Sequence, residues 1–454
     1  MTELPESQLI ELEVADLAFD GKAVAYRDGK VVFLKGGLPG EVVLAEITRS
    51  KARYDQGIVR EIVKRSELRV PAPCTHFETC GGCTWQDLAY DQQLIFKRKQ
   101  IVDCLERLGG LDGVEVTAAI GCDDPFWYRN KMEFSFHVDP GGDFTLGLHE
   151  RGRFDRIFDL HRCHLQSETS NRIVNWIREY VKREQIPVYD VKYHRGYMRF
   201  VVIRQTKRTN QLMVNIVTNY GEFPNAEAFI AELTSTVPEI TTIIHNQNGR
   251  KSNIAAGEIE TGLFGPGFIE EAILGRRFRI GANTFFQTNS VQAERLYQIA
   301  FDELQPSGDE DVLDLYCGTG AISILLAGKA RSVTGVELVA ASVAAAKENA
   351  SLNGLVNCRF VEGDVTAFLQ GLGGSHLFPA IVIDPPRAGL HPKALKKIIE
   401  YGPGKLLYIS CNPATFARDV REMVASSYHL HRVIPVDMFP HTMHIELIGL
   451  LQRS

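Results

Sequence analysis

Residues 311–337, DVLDLYCGTGAISILLAGKARSVTGVE, decide the fold. They read as a short apolar strand, a turn punctuated by Gly318 and Gly320, a helical run and a second strand ending on Glu337. The pattern continues downstream: ASVAAAKENASLNG is helical, and CRFVEGD, AIVID and KLLYISC are strands. From about residue 283 onward, strands and helices alternate, which predicts a parallel, doubly wound α/β sheet of the Rossmann kind. Ligands of such sheets bind beyond the carboxyl ends of the strands, and the polar motifs of this segment fall there.

A dinucleotide site requires a third glycine in its turn, where this chain has Ser323. Glu337 is placed to bind a ribose diol, and Asp364 closes the third strand. A Gly-rich turn with acidic strand ends therefore points to S-adenosylmethionine. The fourth strand runs into Ile383-Asp384-Pro385-Pro386-Arg387 and the fifth into Ser410-Cys411-Asn412-Pro413. Amino-group methylases carry an aromatic where Arg387 stands, so transfer to an exocyclic amine is disfavoured. The Asn-Pro turn after Cys411 predicts a thiol at the rim of the sheet, suited to nucleophilic attack. Near the carboxyl terminus, PHTMHIE supplies Glu446, while His441 and His444 lack the helical frame of a metal pair. A thiolate and a carboxylate suit a uracil ring, whose C5 becomes nucleophilic only after addition at C6 and then has a proton to lose. An ordinary thiol is only a few per cent ionised at pH 7, so the site is expected to depress the Cys411 pKa.

Upstream, residues 10–64 form short alternating stretches separated by DG, GG and PG turns, which predicts a small β-barrel. Arg49, Lys51, Arg53 and Tyr54, with Arg60, Lys64 and Arg65, suggest a face for single-stranded nucleic acid or a solvated edge. After the Val70–Pro73 linker come Cys74, Cys80 and Cys83, a C-x5-C-x2-C spacing with Cys163 as the candidate fourth ligand. Four thiolates suit an iron-sulfur cluster or structural zinc; His76, His161 and His164 admit a mixed zinc site, and plain buried cysteines remain open. Cys104, Cys122 and Cys358 read as small core residues. Residues 88–108 read as an amphipathic helix with Lys97, Arg98 and Lys99, and a mixed α/β region extends to about 270. Its basic residues include Arg129, Lys131, Lys192, Arg195, Arg199, Arg204, Lys207 and Arg208.

Among its 454 residues, 44% are hydrophobic and 23% charged, which excludes wholesale disorder, collagen and coiled coil and leaves room for two or three domains. A formal charge of −6 means that a nucleic-acid partner must be held by a local basic face. No apolar run approaches the roughly 18 residues of a membrane span, and MTELPESQLIELEV lacks a signal pattern. The expectation is a soluble, cytoplasmic protein. The cysteines are odd in number and do not read as a disulfide framework.

DLYCGTG, IDPPR, SCNP and PHTMHIE, in that order and with CGGCTWQ upstream, resemble the bacterial RNA uracil-C5 methyltransferases over nearly the whole chain. DGKAVAYRDGKVVFLKGGLPGE looks like their TRAM domain, an OB-like RNA-binding barrel, which favours the 23S rRNA (RlmD-type) branch. The resemblance implies a 4Fe-4S cluster on Cys74, Cys80, Cys83 and Cys163. It implies S-adenosylmethionine contacts from Gln287, Tyr316, Glu337 and Asp384, with Cys411 as nucleophile and Glu446 as base. The expected domains are a TRAM barrel at 8–68, a central cluster domain at 69–270 and a methyltransferase domain at 271–454. The segment at about 88–118 is expected to pack on the last of these. Competing readings are a tRNA uracil-C5 enzyme, an RNA cytosine-C5 methylase and a non-enzymatic iron-sulfur RNA-binding scaffold. Cytosine-C5 enzymes place Pro-Cys after the fourth strand and often use two cysteines, whereas residues 384–446 hold only Cys411.

Overall fold

The computed structural model describes residues 9–139, 141–153, 155–372 and 378–454. Residue 8, the expected start of the barrel, lies outside them. Strands Leu9–Leu17, Ala23–Arg27, Lys30–Lys35, Val42–Ser50 and Tyr54–Lys64 close into a barrel. Its DG hairpin turns as the sequence predicts: Asp28 and Gly29 both have positive φ, at 49° and 78°, the conformation that matches strand twist. The barrel core, built on Val32, Leu34, Val43 and Ala45, also takes in Trp85, Leu88 and Met443 from outside the barrel. The barrel is therefore fused to the body by shared apolar burial.

The central region is a seven-stranded sheet in the spatial order Ile259–Phe264, Ile240–Gln247, Leu212–Thr218, Met198–Gln205, Lys131–Val138, Phe144–His149 and Ile157–Asp159. Helices Glu168–Arg183 and Ala226–Thr236 bury Ile173, Ile177, Phe229 and Leu233 in its core. The carboxyl-terminal sheet has eight strands, ordered Cys358–Glu362, Ser332–Glu337, Asp311–Leu315, Ala380–Ile383, Lys405–Ser410, Glu446–Arg453, Tyr428–Val436 and Glu115–Val116. The first five are mutually parallel, as the alternation predicts, and Glu446–Arg453 runs antiparallel between its neighbours. Glu115–Val116 adds an edge strand from far upstream, pairing in parallel with Arg432 and Val433.

The expected helix at 88–108 is Tyr90–Cys104, continued by one wider turn over Leu105–Gly109. Its buried face differs from an ordinary apolar stripe, consisting of Gln93, Lys97 and Gln100 with Ile101 and Cys104. Lys97 and Gln93 are tolerated because their polar atoms find partners, and Gln100 Nε2 donates to the Ala18 carbonyl at 3.0 Å. Lys97 Nζ donates to Asp437 Oδ1 at 2.7 Å and to the Phe439 carbonyl at 3.1 Å. Tyr90 Oη donates to the other Asp437 oxygen at 3.0 Å. Gln93 donates to the Trp85 and Leu88 carbonyls, and its Oε1 accepts the His441 amide at 2.9 Å.

Both side chains of the Lys97–Asp437 pair are fully buried. Removing one partner strands a charge in a water-poor site. Lys97→Met should cost about 3–5 kcal/mol in chemical denaturation, and adding Asp437→Asn should recover a large part of that loss. Equal stability of Lys97→Met and the parent would refute this account of the seam.

Candidate active site

The Gly-rich turn is built for close approach. Gly318 and Gly320 have φ of 53° and 82°, and Tyr316 between strand and turn also takes a positive φ, 65°. A Cβ on Gly320 would lie 2.9 Å from Ala346 and the Phe360 ring, whereas one on Gly318 would meet open space. Below the turn, the fully buried Asp314 accepts the Ser323 hydroxyl at 2.5 Å. Ser323, where a dinucleotide fold wants glycine, is thus a buried partner for the strand-end acid. Burial pushes the Asp314 carboxyl up to about 7. Glu337 is fixed by the Gly318 and Val339 amides at 3.1 and 2.9 Å. Asp364 commits one oxygen to the Ala367 amide, capping helix Val365–Gly371, and sits near Tyr316.

Cys411 stands partly exposed at the end of strand Lys405–Ser410, as the Asn-Pro turn predicts. Asn412 caps the helix Pro413–Val424 through its carbonyl oxygen and uses its amide to hold the Arg387 carbonyl at 2.9 Å. One side chain therefore ties the SCNP turn to the IDPPR turn. Around the thiol lie Glu446, Asp384 and Arg387. Burial pushes Asp384 up to about 7. Burial, then the Asp384 charge, holds Glu446 well above the usual carboxylate range, with Arg387 opposing. The expectation of a depressed Cys411 pKa is not met. Burial, then the Glu446 and Asp384 charges, push the thiol up to about 11, and Arg387 offsets only part of this.

Gln287 enters from the loop before helix Ser290–Leu304, its carbonyl held by Asn130 Nδ2 at 2.8 Å and its side chain on the Tyr297 hydroxyl. Tyr297 is buried among Asp384, Glu446 and Asp314, and the sequence reading missed it. Its helical spacing looks like ordinary core; only its proximity to three acids distinguishes it.

Cys74, Cys80, Cys83 and Cys163 line one cavity of about 670 Å3. Three of the sulfurs accept hydrogen bonds, Cys80 from the Gly82 amide at 3.3 Å, Cys83 from Gln86 at 3.1 Å and Cys163 from the Leu165 amide at 3.4 Å. His76 spends Nε2 on the His161 amide, which weakens the mixed zinc reading. Among the described residues no three His, Cys, Asp or Glu side chains are drawn together as a single metal ion would need. With Zn–S near 2.3 Å, zinc would hold its sulfurs within about 4 Å of one another. Donors aimed at sulfur would stabilise thiolates lining this cavity. No disulfide links the cysteines of the described residues. Cys122, read as core, instead lies in the polar seam, accepting from Asn289 at 3.4 Å and donating to the Asp437 carbonyl at 3.4 Å.

Of the basic residues in the central region, Arg199 and Arg204 are buried and hold loop carbonyls. On the barrel, Arg49, Lys51 and Arg53 are exposed, Lys51 lies 5.5 Å over the Tyr54 ring, and Arg60 is paired with Glu46. No helix among the described residues is long and apolar enough to cross a membrane.

Residues 268–454 match the tRNA (Uracil-5-)-methyltransferase family and residues 6–59 match the TRAM domain. An uncharacterized RNA methyltransferase of Caldanaerobacter subterraneus is 36% identical over 458 residues, spanning 99% of this chain and all of the relative. One of Halalkalibacterium halodurans is 37% identical, spanning 98% and 97%. The tRNA (uracil-54, C5)-methyltransferase of Pyrococcus abyssi, solved with S-adenosyl-L-homocysteine, superposes with a TM-score of 0.78 at 31% identity, covering 97% of this chain and all of that one. The chain belongs to the S-adenosylmethionine-dependent RNA (uracil-5-)-methyltransferases.

Because the ligand-free thiol is held near 11, alkylation of Cys411 by iodoacetamide, followed by mass spectrometry, should rise about tenfold per pH unit from neutrality into the alkaline range. A rate that levels off near neutral pH would contradict a thiol raised by burial and by the neighbouring carboxylates.

Proposed function

We propose that the chain methylates C5 of a uridine in 23S rRNA, with Cys411 as nucleophile and Glu446 as base. The observation that carries this reading is the convergence of Cys411, Glu446 and Asp384 at the strand-end rim beside the Gly-rich turn. Glu337, Gln287, Tyr316, Asp364 and Asp384 would hold S-adenosylmethionine at the Gly-rich turn, Glu337 through its ribose, and the cofactor would supply the methyl group there. Cys411 Sγ adds to C6 of the uracil, and the electron pair at C5 takes the sulfonium methyl, releasing S-adenosylhomocysteine. Glu446 then removes the C5 proton, the C5–C6 double bond re-forms and the thiolate leaves.

The raised pKa values of both groups fit a site completed by its substrate. Burial and like charge disfavour the Cys411 thiolate and the Glu446 carboxylate; a sulfonium cation beside them would favour both. S-adenosylmethionine should therefore speed Cys411 alkylation at neutral pH, and S-adenosylhomocysteine, of the same shape without the charge, should not. Equal effects of the two would sink this form of activation.

The 23S rRNA assignment rests on the TRAM barrel upstream of the cluster motif. A tRNA substrate is the second reading, supported by the Pyrococcus abyssi relative, whose substrate is tRNA. Mapping 5-methyluridine in both RNA classes from a deletion strain separates the two. A 4Fe-4S cluster would be held by Cys74, Cys80, Cys83 and Cys163 and would supply a four-point crosslink of that loop system. Anaerobically purified protein should be brown with about four irons per chain, and Cys80→Ser should lose the colour; a colourless, zinc-loaded protein would overturn the cluster.

Glu446→Gln should still add the thiolate and transfer the methyl group, leaving a denaturation-resistant protein-RNA adduct. Cys411→Ala should bind RNA yet form neither product nor adduct. Normal turnover by Glu446→Gln, or an adduct with Cys411→Ala, would reverse the assignment.

A further inference from the structure

One end of the central sheet carries cations and rings that neither the core nor the reaction uses. Asp190 bridges Arg195 in antiparallel fashion, beyond a parallel Val188–Met198 bridge, forming a hairpin whose tip displays Lys192, Tyr193 and Arg195. Tyr193 is 58% exposed, with Lys192 Nζ 5.2 Å and the Arg195 guanidinium 5.1 Å from its ring centre. Two loops flank the hairpin. Asn219 bonds the Tyr197 and Gly196 carbonyls, bringing up Tyr220, 55% exposed, whose ring lies against Gly249. Lys251 is exposed on the loop that follows.

This end is built rigidly. Buried Arg199 donates to the carbonyls of Asn248, Arg250 and Ser252 at 2.6–2.8 Å and stacks 4.3 Å from the Tyr189 ring, clamping the second loop to the hairpin base. The nearby carboxylates are committed: Asp190 accepts the Lys192 and Tyr193 amides, and Glu258 takes Arg250 and Tyr220. Glu222 is the exposed exception. Lys192, Arg195 and Lys251 form no ion pair among the described residues. Hydrogen bonds also link this side of the sheet to the Gly-rich turn. Asn283 bonds Asn246 and Gly257 on this side, and two residues on, the Phe285 carbonyl accepts from Thr319 of the Gly-rich turn.

We propose that the Tyr193 hairpin tip, with Tyr220 and Lys251, is a second RNA-binding platform that holds a single-stranded flank of the substrate leading away from the target uridine. An exposed ring between two unpaired cations suits a stacked base with its phosphates, and sequence-tolerant stacking suits a flank rather than the target. A protein partner of acidic character would use the cations and have little need of the ring.

The inference rests on the RNA reading above, and the test separates the two. Binding of a fluorescent single-stranded RNA is followed by anisotropy against salt. Tyr193→Ala should weaken binding about five- to a hundredfold, and Tyr193→Phe should restore it. Replacing Lys192, Arg195 and Lys251 together by Gln should make the log-log salt slope shallower by about two. Thermal stability and single-turnover methyl transfer at saturating RNA should be unchanged. Parental affinity and salt slope in all variants would overturn the platform alone, whereas absence of RNA binding by the parent would overturn the RNA reading with it. Loss of affinity in Tyr193→Phe equal to that in Tyr193→Ala would also overturn the platform, because it would leave stacking without a role.

Discussion

The loop that runs from Asp437 to the start of the Glu446 strand is anchored by groups from outside its own sheet, and the rest of the site depends on that restraint. Asp437 is anchored by the buried Lys97 and by Tyr90, both on a helix some 340 residues earlier in the chain. The His441 carbonyl accepts the amides of Thr84 and Trp85, which belong to the loop of Cys80 and Cys83. Its ring stacks on Phe126 at 4.2 Å, Tyr128 Oη donates to the Pro440 carbonyl at 3.2 Å, and Met443 packs with the barrel core. Glu446 follows directly. Barrel, cysteine loop and helix therefore share one task, fixing the approach to the carboxylate at the rim. A buried ion pair contributes little net stability, but it specifies one docking geometry against slippage.

The same arrangement gives the cysteine loop a mechanical meaning. The two amides that grip His441 lie immediately after Cys83, so whatever fixes the four thiolates also restrains the loop that leads into the strand of Glu446. Solvent is excluded from this seam, which strengthens each polar contact and makes each unpaired one costly.

Electrostatically, burial disfavours negative charge along the rim. Asp314, Asp384, Glu446 and Cys411 all have raised pKa values, and burial is the first cause in every case. Arg387, exposed at the edge, is too well solvated to compensate. A pocket of this kind favours a cationic ligand, because a positive charge relieves the desolvation of several acids at once.

Strand alternation, the Gly318 and Gly320 turn, the DG hairpin and the rim position of Cys411 were legible in the chain because each depends on neighbours within a few residues. Period, turn chemistry and helix capping are local. The pairing of Cys411 with Glu446 came from the chemistry that a uracil ring demands and from the family motifs, since spacing alone does not give it. The buried Lys97 face, the tyrosine among the acids, the carbonyl-clamping Arg199 and the elevated thiol pKa were not legible. A lysine on a helix reads as solvent-facing, and an arginine in a strand reads as RNA-binding, until a partner from another part of the chain is in place. Sequence determined which groups could do the chemistry. Only the tertiary structure decided which of them are buried, paired or left free, because desolvation and long-range pairing depend on what the rest of the fold brings alongside.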